Sequence, residues 1–191
     1  MVTSVQLYLG LLLLVAVERG AELLLSARNR RLAQTRGGVE SGQGHYPAMA
    51  LLHALLLVAC AVEVLVLQRP FPGALGWLAL AVVLGAQGLR YWAIATLGWR
   101  WNTRIVVVPG AAPITGGPYR FVRHPNYLAV IAEMAALPLV HGAWLTALVF
   151  SLGNAWLLKV RIRAEEQALG QPWEHAFAGR PRFVPGGHGG H

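Results

Sequence analysis

Residues Gly116 to Tyr127 read GGPYRFVRHPNY, a polar, proline-punctuated stretch set between two strongly apolar segments. Farther on, Arg161-Ile162-Arg163-Ala164-Glu165-Glu166 places charges at the end of the next apolar segment. A helix there puts Arg161 and Glu165 one turn apart on the same face. These residue types suit a small ligand of mixed charge. Tyr119 and Tyr127 offer aromatic faces to a cation and hydroxyls to polar groups. His124 and the backbone after it can hold further polar groups, with Pro125 fixing the bend. Glu165 can accept from hydroxyl or ammonium donors, and Arg161 can orient an anionic oxygen with its planar fork. A purely structural reading competes. Arg120 and Arg123 would then be topology charges, the prolines helix breakers, and Arg161 to Glu166 a self-paired helix end.

The elements that must position these groups are membrane helices. Of 191 residues, 55% are hydrophobic and 13% charged, against a usual charged share of roughly a quarter. A soluble domain of this size would lack polar surface. The net charge of +8 raises nucleic acid as a partner, but the basic residues lie between apolar segments and form no long run. Basic cytoplasmic loops of a membrane protein explain composition and charge together. The chain has no HExxH, G-x-G-x-x-G or Walker pattern, and no alternation of strand and helix signals, so zinc protease, Rossmann, P-loop and soluble methyltransferase readings have no support.

Leu7 to Val17 is uninterrupted apolar sequence, read as a retained first span running through Glu18, Arg19 and Glu22 to about Leu25. Those three charges should face the bundle or the interface, paired among themselves at the helix end. Arg28, Arg30, Arg31 and Arg36 follow as a basic loop, and Gly37 to Gly44 as a linker. A second span, roughly Pro47 to Leu67, is interrupted by His53 and Glu63, each a candidate for function or for an interhelical hydrogen bond. Cys60 sits there like a small apolar residue. After the turn Arg69 to Gly73, a third span covers roughly Ala74 to Ile94. It ends in Arg90, Tyr91 and Trp92, an interfacial belt that Trp99 and Trp101 extend. Ile105 to Val108 reads as a short strand or extended loop over the cytoplasmic face. Tyr127 to Val140 and Ala143 to Leu158 form a last hairpin joined at His141-Gly142, each arm shorter than the roughly 20 residues of a comfortable crossing. His188 and His191 belong to a Gly-rich tail, read as a flexible end and not a metal site.

Of the 16 Lys and Arg residues, only Arg69 falls in a segment expected outside. This pattern places the N-terminus out and the C-terminus in, so both polar clusters face the cytoplasm.

The pair GPY-x-x-x-RHP-x-Y and R-x-x-x-EE-x-x-L resembles the isoprenylcysteine carboxyl methyltransferase family of integral-membrane, S-adenosylmethionine-dependent enzymes. Gly117 to Tyr127 and Arg161 to Leu169 carry the likeness, with Arg182-Phe183-Val184-Pro185 as a looser third piece. Glu18-Arg19, Ser26 to Asn29, Gly37-Gly38, His45-Tyr46-Pro47 and Glu63 are similar to a bacterial branch associated with long-chain polyketide pyrones or resorcinols. The resemblance implies cofactor contacts from Ala112, Pro113, Ile114, Tyr119, His124, Pro125, Asn126, Tyr127, Glu165 and Glu166. It implies acceptor contact from Arg161, a catalytic role for Arg161 and Glu165, and no metal. Ala111 stands where eukaryotic members commonly have a histidine, and Trp173, His175 and Phe177 where tyrosines are common.

The expected architecture is therefore an all-α integral membrane protein in one domain, residues 1–191, with about five transmembrane helices. Three spans fill 1–97; a cofactor-binding loop, a short helical hairpin and the tail fill 98–191. The implied function is S-adenosylmethionine-dependent O-methylation of a lipidic acceptor, an alkylpyrone, alkylresorcinol or isoprenylcysteine carboxylate, reached from the bilayer of a bacterial inner membrane. No nucleic acid or obligate protein partner is expected. Two other classes compete: a sterol-reductase-like NADPH oxidoreductase, and a non-catalytic scaffold or transporter. A transporter would commonly show an internal repeat, and none is visible.

Overall fold

The computed structural model describes residues 3–183. Val184 and Pro185 of the tail motif, and His188 and His191, lie outside the described residues. Five helices carry the fold: α1 (Ser4–Gln34), α2 (Tyr46–Val66), α3 (Ala74–Leu97), α4 (Pro125–Leu139) and α5 (Trp144–Ala176). Three of them, in α2, α3 and α5, are long and apolar enough to cross a membrane. Large apolar side chains face outward, among them Leu24 at 75%, Trp77 at 65% and Trp156 at 68% exposure. Such a surface fits contact with lipid.

Helix α1 begins at a capping box, Thr3 accepting from the Gln6 N–H while the Gln6 side chain accepts from the Thr3 N–H. It does not stop near Leu25. Arg28, Arg30 and Arg31 are helical, because Ala, Arg, Leu and Asn run on without a breaker until Gly37-Gly38. The same reasoning corrects α5, which continues past Leu158 to Ala176 and breaks only at Gly170 (φ 65°), two residues before Pro172. Helix α4, at 15 residues, is about 22 Å long and falls short of the roughly 30 Å hydrocarbon core.

Packing follows small residues. Helix α3 buries Gly76, Ala79, Val83, Ala86, Arg90 and Ala93, a stripe at three- and four-residue spacing whose short side chains let backbones approach closely. It lies along α4, which buries Ala129, Val130, Glu133, Ala136 and Leu137. The largest apolar cluster joins these helices to Tyr8, Leu12 and Val15 of α1 and to Leu56, Cys60 and Val64 of α2.

Charges inside the bundle are shared between helices, not self-contained at one helix end. Arg19 pairs with Glu18 and Glu22, each at 3.0 Å, as expected for neighbours on α1. Arg90 of α3 then bonds Glu133 of α4 and lies 3.7 Å from Glu22. At 4% exposure, Arg90 belongs to the interior and not to an interfacial belt. Glu63 makes interhelical bonds: its carboxylate accepts from the N–H of Leu145 (3.3 Å) and Thr146 (2.7 Å), capping the start of α5, and pairs with Arg69 at 3.0 Å. Among the described residues, His53 bonds only back to the Met49 carbonyl of its own helix, at 2.8 Å.

The stretch read as a linker holds a strand. β1 (Val39–Ser41) pairs antiparallel with β2 (Ile105–Val107), in register Val39 to Val107 and Ser41 to Ile105. Arg104 reinforces the ribbon from beneath through Glu40 at 2.7 Å.

Candidate active site

Gly117 opens the polar motif with φ +54°, and a Cβ built there would lie 2.2 Å from Thr96 Oγ1. Only glycine permits this approach of the loop to α3. A single 3-10 turn, Gly117–Arg120, follows, and Pro125 occupies the first turn of α4, where its missing N–H costs nothing. The C-terminal segment clips the motif in place. The Arg123 and His124 N–H groups donate to the carbonyls of Pro181 (2.9 Å) and Arg182 (3.2 Å). Arg180 Nη1 donates to the carbonyls of Tyr119 (2.8 Å) and Thr115 (3.3 Å).

Above these elements lies a cavity of about 540 Å³, within the range of small-molecule and cofactor sites. The motif, the loop before it, β2 and the far half of α5 enclose it. Of the residues singled out in the sequence, Ala112, Pro113, Ile114, Tyr119, His124, Asn126, Tyr127, Arg161 and Glu165 all line it. Pro125 and Glu166 do not: Pro125 is buried in the turn, and Glu166 stands behind the wall. There Glu166 accepts from His124 Nε2 at 3.0 Å and from Arg182 Nη2 at 2.6 Å.

Arg161 is 6% exposed and held at two of its three nitrogens, which leaves Nη1, 4.0 Å from the Met49 sulfur, for a ligand. Its Nε donates to the Tyr127 hydroxyl at 2.7 Å and its Nη2 to the Thr103 carbonyl at 2.7 Å. Tyr127 in turn donates to Glu165 Oε2. His124 stacks on Tyr127 with ring centroids 5.3 Å apart and meets Trp173 at 5.4 Å. Burial, seconded by the Glu165 carboxylate, holds the Tyr119 hydroxyl well above the usual tyrosine range, so it acts as a neutral phenol.

Sequence reasoning missed Trp101, Asn102, Arg104 and Phe177, which also line the cavity. Trp101 is 3% exposed and no part of an interfacial belt. Trp173 and Phe177 had a signal, since they replace tyrosines common in the resembled family, and the Gly170 break turns them onto the cavity.

A site of this kind can grip a ligand through aromatic faces, a carboxylate and loop carbonyls on one side, and present a guanidinium on the other. Comparison with known proteins agrees with the motif reading. The family model for isoprenylcysteine carboxyl methyltransferases matches residues 77–171, which include the motif, α4, and Arg161 and Glu165 of α5. "Uncharacterized protein YpbQ" of Bacillus subtilis is 41% identical over 160 residues, covering 83% of this chain and 94% of the relative. An "Uncharacterized protein" of Haemophilus influenzae is 27% identical over 148 residues, covering 77% and 86%. The chain belongs to the isoprenylcysteine carboxyl methyltransferase family of membrane proteins.

Proposed function

We propose that this protein is an S-adenosylmethionine-dependent O-methyltransferase acting on a lipidic acceptor at the cytoplasmic membrane face. The observation that carries the reading is the chain Arg161–Tyr127–Glu165 on the wall of a 540 Å³ cavity that His124 and Trp173 also line. The residues fit the cofactor. Tyr119, His124, Tyr127 and Trp173 offer faces to the adenine and the sulfonium; Glu165 accepts from ribose hydroxyls or the amino group; the carbonyls around Ala112 to Ile114 supply further acceptors. When bound, the cofactor supplies an electrophilic methyl group.

The protein's own contribution is alignment and exclusion of water. Arg161 holds an acceptor oxygen in its anionic form, and Tyr127 fixes the guanidinium plane while tying it to Glu165. No side chain in the cavity is needed as a dedicated base, because an acidic enol or a carboxylate arrives ionised or is ionised by charge pairing. The favoured acceptors are long-chain hydroxypyrones, with prenylcysteine carboxylates second and alkylresorcinols, whose phenols reach the site un-ionised, last; their apolar tails lie in the bilayer. About five helices enter the membrane in this reading, with α4 dipping into it.

The test is calorimetric titration of S-adenosylhomocysteine into detergent-purified protein, with NADPH as comparator. Binding of the first and not the second is expected. The reverse preference would move the chain to the reductase class, and binding of neither would remove the cofactor assignment.

A further inference from the structure

A second concavity lies on the outer side of α4 and α5. It is a groove of about 380 Å³ with an apolar floor that includes Ile131, Leu158 and Ile162. Lys159, Arg163 and Arg182 also line it, and no acidic residue does. Ser151, Ala155, Lys159 and Arg163 form one four-residue row along α5, so the two cations stand on one ridge above a small-residue floor. Lys159 is the only lysine in the chain. Both Lys159 and Arg163 are exposed, and neither makes an ion pair among the described residues.

A third observation sits deeper. Asn154 is 2% exposed, and one of its amide positions, assigned as Oδ1, is buried with no hydrogen-bond partner among the described residues. Its amide nitrogen makes no hydrogen bond among the described residues, and Asn154 lines the groove, so the N–H can donate there. Asn154 comes five residues before Lys159, about 7.5 Å along the helix. That is the depth at which glycerol ester carbonyls hang below a phosphate.

The geometry points to a seat for one anionic phospholipid. Its phosphate lies among Lys159, Arg163 and Arg182, an ester carbonyl accepts from Asn154, and an acyl chain fills the apolar groove. Basic groups just at the membrane surface favour anionic lipid. A zwitterionic headgroup brings its own cation against Lys159 and Arg163, while Arg182 is already paired with Glu166, so the seat discriminates by charge. The site is also wired to the cavity. Arg182 bonds Glu166, and Glu166 bonds His124 on the cavity wall. A phosphate drawing on Arg182 therefore alters the hold on His124.

The experiment uses the full chain in detergent with a defined mixture of phosphatidylglycerol and phosphatidylcholine, reading retained lipid by native mass spectrometry. Wild type should retain phosphatidylglycerol at least tenfold over phosphatidylcholine. Lys159→Gln with Arg163→Gln should reduce that ratio below about threefold, while S-adenosylhomocysteine binding in phosphatidylcholine stays as in wild type and shows that the variant is folded. Acylation of Lys159 should be slowed several-fold by phosphatidylglycerol and not by phosphatidylcholine. Equal retention of the two lipids, or a preference that survives the double substitution, overturns the seat. Protection of Lys159 without lipid also overturns it: loss of that protection on deleting residues 184–191 assigns the groove to the tail, and loss on dilution assigns it to a second copy.

Discussion

Arg161 and Glu165, one helical turn apart on α5, make no ion pair with each other; the Tyr127 hydroxyl stands between them, accepting from the guanidinium and donating to the carboxylate. One phenol thus fixes the orientation of two charged groups from a different helix. Tyr127→Phe removes both bonds, and hydrogen bonds to charged groups are worth about 1.5–3 kcal/mol each. The expected result is a loss of methyl-transfer rate on the order of 10- to 100-fold with the helical circular dichroism unchanged. A fully active Phe variant would mean that Arg161 and Glu165 reach their working positions without the bridge.

Arg161→Lys keeps the charge and loses the planar fork that contacts Tyr127 and the Thr103 carbonyl together. Turnover should fall more than tenfold, while affinity for S-adenosylhomocysteine changes less than about threefold. Assays with a matched alkyl series of pyrone, resorcinol and prenylcysteine acceptors check this, with acidic hydroxypyrones expected to be methylated fastest. Fastest turnover of un-ionised phenols by an undamaged Lys variant would show that Arg161 does not clamp the acceptor.

Much of this site was legible in the sequence, and the reason is local. Tyr119 to Tyr127 are neighbours in one turn and the start of one helix, and Arg161 and Glu165 share a helix face, so spacing alone brings each set together. The convergence of the two sets needed only the α4–α5 hairpin. What was not legible is what pairs across long separations. Val39-Glu40-Ser41 has no alternating pattern and sits among glycines; it is a strand because Ile105 to Val107 lies beside it. Arg90 looked interfacial because its partner, Glu133, is 43 residues away on another helix. Helix ends were misjudged where charge was taken as a stop signal, although arginine is a good helix former and only Gly37-Gly38 and Gly170 break the backbone.

The approach at Gly117 gives a paired test. A Cβ there meets Thr96 Oγ1 at 2.2 Å with φ at +54°, whereas one at Gly116 meets nothing within 4 Å. Gly117→Ala should lower stability by about 1–3 kcal/mol and weaken cofactor binding, and Gly116→Ala should do neither. Thermal unfolding in detergent compares them, and equal midpoints would show that the loop yields.

Breaking the interior network should be costly. Glu133→Leu leaves Arg90 and Arg19 with one carboxylate fewer in a buried setting, a loss of about 3–5 kcal/mol. Adding Arg90→Met to Glu133→Leu should recover part of that loss, because the unpaired cation is then gone. Unfolding of the single and double variants checks the sign, and a double variant worse than either single would show that the pair acts independently.

Orientation is checked by labelling. In a Cys60→Ala background, an impermeant thiol reagent added outside intact cells should modify Ser4→Cys and spare Ser41→Cys. Modification of the second alone would reverse the membrane sidedness and with it the cytoplasmic cavity.

The clip made by Pro181 and Arg182 on the N–H groups of Arg123 and His124 also sets a schedule for biosynthesis. The motif leaves the ribosome some sixty residues before the segment that closes it, and β1 waits about as long for β2. A nascent chain holding everything up to Ala176 has all five helices and still lacks the partners of its own motif loop. Closure of the motif loop therefore follows the making of all five helices, and a chain interrupted before Pro181 carries the helices without the clip on its motif.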